Sequence, residues 1–172
     1  LGDAFAFEDP EDISKGLLFE GRTAENFKLS TGTWVHVGPL RAQFLAHCAP
    51  LARDVVIAGA DRNYVSALIC PDIDACRKVA ALPAAASVSD VLDAPVVKAW
   101  VKERLRSFAA ASTGSSNLVR RAAFLAEPLT IDTGELTDKG SINQRLVIRN
   151  RPRLIEELYA ALPPAHVMAS DP

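Results

Sequence analysis

Several things are scarce in this sequence, and each scarcity closes off a class of protein. Cysteine occurs three times, as Cys48, Cys70 and Cys76. The odd number and the lack of CxxC spacing argue against a disulfide frame or a thiolate zinc site, and predict reduced, mostly buried thiols. The three histidines, His36, His47 and His166, are scattered, and none has a neighbour at metal-ligand spacing, so no metal site is expected. Apolar runs are short. None approaches the ~20 residues that span a bilayer, and the longest, Val55 to Ala60, is strand-sized. No basic segment leads into an apolar stretch, so no signal peptide is visible, and a cytoplasmic location is expected. Charge of one sign is missing too. Lys and Arg number 19 against 21 Asp and Glu, a formal net charge of -2, whereas a nucleic-acid binder is normally basic.

What is present fits one domain, or one domain plus a fragment of another: 172 residues, 49% hydrophobic and 23% charged. Leu1-Gly2-Asp3 opens without an initiator methionine, as if cut from a longer polypeptide. Residues 4–15 are acidic, contain Pro10 and read as a surface loop. Residues 17–21 form a short strand. Residues 27–30 and 33–36 form two more, joined where Gly32 supplies the positive φ of a tight turn. Pro39 opens a helix that puts Leu40, Phe44, Cys48 and Leu51 on one face. Residues 53–60 and 64–70 make a hairpin around Asp61–Asn63, and a short helix runs on to about Leu82. Residues 83–89 are a linking loop. A long amphipathic helix over 94–110 follows, with Val97, Trp100, Val101, Leu105 and Phe108 as its stripe, so Trp100 reads as core rather than as part of a cofactor box. Residues 119–125 are a strand and 142–150 a helix. Pro152 starts a helix facing inward through Leu154, Ile155, Leu158, Tyr159 and Leu162, and the tail from Pro163 is expected to be disordered. The sum is a small α+β domain with a mainly antiparallel sheet, β-hairpins and flanking helices.

Three clusters carry possible chemistry. Lys139 lies in Gly134–Arg145, GELTDKGSINQR. Ser141 with Gln144 three residues on reads as a capping box, which predicts a helix from near Ile142. A loop lysine beside a helix N-terminus suits a carboxylate or phosphate in transit; the alternative is a solvated loop lysine. Arg22 and Lys28, near the Gly32 turn, are of the type that holds ribose hydroxyls, phosphates or a phosphopantetheine chain; the alternative is a charged hairpin rim. Gly2-Asp3 alone means nothing.

In this order, the clusters resemble the C-terminal part of AMP-forming acyl-CoA synthetases, the adenylate-forming ligases of the firefly luciferase and long-chain acyl-CoA synthetase superfamily. Residues 21–35 (GRTAENFKLSTGTWV), 37–41 (VGPLR) and 134–145 are most similar to the feruloyl-CoA synthetase branch. The resemblance implies that residues 1–23 end a large adenylating domain with its hinge, and that 24–172 are the mobile lid. Asp3 would then contact the adenylate ribose hydroxyls, and Arg22, at the hinge, would also contact the ribose. Lys28 and Gly32 would face the thioester-forming step, and Lys139 would bridge carboxylate and α-phosphate during adenylation.

The implied reaction converts a carboxylic acid, by the branch resemblance a hydroxycinnamate such as ferulate, with ATP and CoA into acyl-CoA, AMP and pyrophosphate. Mg2+ and most of the nucleotide and acyl contacts would belong to the large domain, so this chain alone is expected to be inactive. Two other readings are a non-catalytic interaction module of the same fold, and an adenylating enzyme that delivers to a carrier-protein pantetheine. The sequence departs from the family at three places. Ala24 stands where the hinge side chain is usually Asp or Lys, and residues 37–41 replace a PEKIE-like segment. The usual lysine lies four residues after the motif threonine, which from Thr137 is Ser141, so Lys139 takes the role with a two-residue shift.

Overall fold

The run Val55–Ala58 shows no polar alternation because both faces of its strand are covered. In the computed structural model, which describes residues 2–170, β5 (Ala52–Ala58) and β6 (Val65–Pro71) form the expected hairpin, with Val56 opposite Leu68 and Ile57 opposite Ala67. β7 (Val119–Phe124) runs parallel to β6, a pairing that needs a long crossover. Helices α2 (Ile73–Ala80), α3 (Val88–Asp93) and α4 (Pro95–Ala111) supply it. β8 (Met168–Ala169) pairs antiparallel with β7, giving the order β5-β6-β7-β8. The sheet is therefore mainly antiparallel and the fold α+β, as expected.

On one face Val55, Ile57, Ala67, Ile69 and Ala122 pack with Phe44 of α1 (Val37–His47) and with Val101 and Leu105 of α4. On the other, Val56, Ala58, Leu68 and Ala123 pack with Val147 of α5 (Gln144–Asn150) and with Ile155 and Leu158 of α6 (Pro152–Tyr159). A side chain as fully buried as Phe44 stabilises the fold by about 1.5–3 kcal/mol relative to exposure. Trp100 packs at the border of two apolar clusters, and the α4 stripe is core.

Ahead of this body, β1 (Asp3–Phe7) pairs with β2 (Leu17–Arg22), a 3-10 turn spans Thr23–Glu25, and β3 (Phe27–Lys28) pairs with β4 (Trp34–Val35). Gly32 takes φ +82 in the β3–β4 turn. The β5–β6 turn seats that small hairpin: the Asp61 amide donates to the Lys28 carbonyl at 3.0 Å and the Ser30 amide to the Arg62 carbonyl at 2.9 Å.

Four expectations need correction. Residues 4–15 are not all loop, because Ala4-Phe5-Ala6-Phe7 alternates and pairs as β1. Residues 83–89 lead into α3, whose start carries the reciprocal Ser87–Asp90 capping box. The tail is ordered through Ser170, beyond which it lies outside the described residues: Val167 and Met168 are buried, and the Ser170 amide donates to the Arg120 carbonyl at 2.9 Å. α6 ends at Tyr159, leaving Leu162 outside the helix and 91% exposed.

Candidate active site

The segment between the first hairpin and the body is held residue by residue. Thr23 belongs to the hairpin: its amide and its Oγ1 both donate to the Gly2 carbonyl, at 2.8 and 3.0 Å. From Ala24 onward the attachments change side. The Ala24 carbonyl accepts from Arg145 Nη2, and Glu25 Oε2 accepts from Gln144 Nε2 at 2.9 Å. Asn26 Oδ1 takes the Val37 amide at 2.9 Å, capping α1 in place of His36, which makes no side-chain cap.

An open cleft of about 850 Å³ lies along this junction. Leu18 and Arg22 form one wall, Gly38 to Leu45 of α1 another, and Ser141 with Ile142 a third. Asp3 sits directly opposite Arg22 in the β1–β2 register, so the two side chains are neighbours on one ladder. Arg41 also lines the cleft, anchored by a bidentate pair with Asp54 (3.0 and 2.5 Å) and by Nε to the Val55 carbonyl at 3.1 Å.

The loop that brings Ser141 here is a tight β-turn. Leu136 bridges to Ile142, Gly140 donates to the Thr137 carbonyl at 2.8 Å, and Thr137 Oγ1 accepts from the Ser141 amide at 3.1 Å. Gly140 adopts φ +76, a region where a β-carbon is strained. Lys139 occupies the exposed tip, with no ion-pair partner among the described residues. The base of the loop is rigid. Glu135, 2% exposed, takes Arg151 Nε and Nη2 at 3.0 Å each. That guanidinium holds the Glu135 carboxyl below its usual range, and Glu135 in turn raises Arg151.

The helix after the loop starts later than expected. α5 begins at Gln144, and its cap is Asn143, whose Oδ1 accepts from the Leu146 amide at 3.3 Å. Gln144 cannot complete a capping box with Ser141 because its amide is buried and already engaged, accepting from the Ile57 amide at 2.8 Å and donating to Glu25.

The expected site residues thus fall into three places. Asp3 and Arg22 are opposite one another on the β1–β2 ladder, and Arg22 lines the cleft together with the Ser141 end of the loop. Lys139 stands two residues before that cleft wall, and Lys28 and Gly32 line another hairpin, where Lys28 Nζ lies 5.6 Å from the Trp34 ring centroid. Arg41, Glu25 and Gln144 went unnoticed as site residues. The sequence signal for Arg41 was the departure at 37–41. A second cavity, about 460 Å³, opens between α3, the end of β7 and α6. Its cations are each paired: Lys98 with Asp93, Arg151 with Glu135, and Arg153 with Glu157. Among the described residues no group of His, Cys, Asp and Glu is arranged to hold a metal ion, and no helix is long and apolar enough to cross a membrane.

No family model matches the chain. Two curated proteins of Arabidopsis thaliana do. One, a probable acyl-activating enzyme 16 described as chloroplastic, is 28% identical over 145 residues, covering 83% of this chain and 19% of that protein. The other, a chloroplastic long-chain fatty acid–acyl-carrier-protein ligase, is 25% identical over 144 residues, covering 84% of this chain and 18% of its own length. The chain therefore spans about a fifth of the length of the curated relatives it matches. Among solved structures, the A–PCP didomain of the carboxylic acid reductase from Segniliparus rugosus, in complex with AMP, superposes with a TM-score of 0.65 at 25% identity, over 92% of this chain and 20% of that one.

Proposed function

We propose that this chain, whose relatives and structural neighbour are adenylate-forming acyl-activating enzymes, is the hinge and C-terminal lid of such a ligase. The observation that carries the reading is the change of allegiance between Thr23 and Ala24, at the mouth of a cleft walled by Arg22 on one side and Ser141 on the other. Residues 1–23 are read as the end of the large domain and 24–172 as the lid. A lid pivoting there would carry the Lys139 loop towards and away from nucleotide held by Asp3 and Arg22.

In the first half-reaction a substrate carboxylate oxygen attacks the ATP α-phosphorus, the bond to pyrophosphate breaks, and acyl-AMP forms. Negative charge gathers on carboxylate, phosphate and leaving oxygens, and the mobile Lys139 ammonium is proposed to stabilise it. Arg22 and Asp3 would orient the ribose. In the second half-reaction a pantetheine thiolate displaces AMP, with Lys28 and the open Gly32 turn on the approach side after the lid reorients. Mg2+ would arrive with the nucleotide and be held mainly by the large domain. Free CoA is the acceptor in the first reading and a hydroxycinnamate such as ferulate the substrate. The carrier-protein ligase and the A–PCP didomain among the matches favour a second reading, in which the thiol is borne by a carrier protein. The cytoplasmic expectation rests on the sequence reading, and both curated relatives are described as chloroplastic.

The test is made on a protein in which this chain is joined to an adenylating domain. Acid-dependent exchange of pyrophosphate into ATP is expected, with Lys139→Ala lowering it about 10²–10³-fold, the usual loss on removing one charge-stabilising group. Unchanged exchange would leave an interaction module of the same fold. Exchange abolished by Ser141 substitutions, but not by Lys139→Ala, would move the role along the loop. CoA and a pantetheinylated carrier, offered in turn, separate the two acceptors. The 172-residue chain alone is expected to form no acyl-AMP.

A further inference from the structure

The connecting segment and the Lys139 loop, far apart in sequence, are joined by one fully engaged side chain. Gln144 is 3% exposed, accepts from the Ile57 amide at 2.8 Å through Oε1, and donates through Nε2 to Glu25 at 2.9 Å. Its neighbour Asn143 donates its amide to the Glu135 carbonyl at 2.8 Å, at the base of the Lys139 turn. On the other side, Arg145 holds the Ala24 carbonyl. Hydrogen bonds therefore run without a break from residues 24–25, through 143–145, to the loop that bears Lys139.

We propose that Glu25 and Gln144 form a latch that makes residues 24–26 and the Lys139 loop move as one body, and that both are positioning residues for the loop. The proposal rests on the lid reading above for its purpose, but not for its test. With the latch closed, rotation at the Thr23–Ala24 link is delivered to the loop without slack. With it open, the lid could turn while Lys139 lagged. The latch also gives a mechanical task to the residue after Ala24, where the segment itself offers only a methyl group. A plainer role for Gln144, satisfying the Ile57 amide, is also visible in the structure. Glu25 separates the two roles because its removal leaves the Ile57 bond in place.

The experiment is amide hydrogen exchange on this chain, which needs neither nucleotide nor acyl substrate. Glu25→Ala is expected to speed exchange at Asn26 and, together with it, at Thr137, Gly140 and Asn143, by about ten-fold, the scale set by losing a hydrogen bond to a charged acceptor. Ile57, Leu68 and Ile69 should keep their protection, which reports an intact fold. Glu25→Gln, whose amide oxygen still accepts from Gln144, should restore slow exchange at both places. Tryptic cleavage after Lys139 is a second measurement and should quicken in Glu25→Ala alone. Acceleration confined to Asn26, with the loop amides and the cleavage rate unchanged, would overturn the latch. So would equal acceleration in Glu25→Gln. Loss of coupling here leaves the ligase reading standing, and absence of ligase activity in the longer protein leaves the latch standing.

Discussion

The β1–β2 hairpin and the four-stranded body are built from similar material and end up differently. Both are antiparallel pairings with one register shift, and both are largely apolar, with Phe, Leu and Ala in the hairpin and Val, Ile and Ala in the body. In the body, Phe44, Leu68 and Leu105 lose essentially all contact with water, whereas in the hairpin Phe7, Leu17 and Leu18 remain 52%, 58% and 52% exposed. The difference is cover. β5–β7 have helices on both faces, while a lone two-stranded hairpin has little to pack against and is marginal by itself. Strand pairing and apolar content therefore do not make a core until a second layer arrives. On the proposed hinge-and-lid reading, the exposed apolar face of this hairpin would be the part that packs on the large domain.

The largest expected effect lies in the body. Arg151→Ala leaves the Glu135 carboxylate buried without its partner, and should cost about 3–5 kcal/mol in chemical denaturation. A loss below 1 kcal/mol would mean that the loop base is open to water. The same pair sets a pH dependence. The folded-state pKa of Glu135 is depressed below its ordinary 4.5, so its contribution is complete above the ordinary value and disappears as the pH falls through the lower, folded one. Stability of the native chain should therefore decline with acidification below about pH 4.5, and Arg151→Ala should flatten that part of the curve. Next in size, Gly140→Ala forces a β-carbon into the left-handed region and should cost about 1 kcal/mol, read as a lower melting temperature. Smallest of all, Leu17→Ser in the hairpin should change stability by no more than about 0.5 kcal/mol. A loss of 2 kcal/mol there would join the hairpin to the body and dissolve the contrast.

The body was legible where periodicity ran long enough to be read. The stripe of α4, the helix start at Pro152, and the β5–β6 run all leave patterns that local chemistry enforces. The thiols were legible from count and spacing alone: none is disulfide-bonded, and burial lifts Cys48 to about 12 and Cys76 to about 11. β8 escaped notice because two residues carry no period; only the sheet edge waiting at β7 turns Met168–Ala169 into a strand. The site divided along the same line. The resemblance assigned Asp3 and Arg22 to one ribose, and they lie opposite each other on one ladder, but the Ser141–Gln144 capping box failed because tertiary structure had already claimed the Gln144 amide. A local rule was outbid by bonds to residues 25 and 57, which no local reading contains.

Arg41 and Gln144 have one more effect. β5 is an outer strand of the sheet, and two of its outward-facing backbone groups, the Val55 carbonyl and the Ile57 amide, are consumed by these two side chains. A strand with its bonding groups already spoken for is a poor template for another chain. The contacts that organise the cleft and its loop therefore also keep copies of the molecule from zipping together edge to edge. Variants that loosen them should be watched for aggregation as well as for faster exchange in the loop.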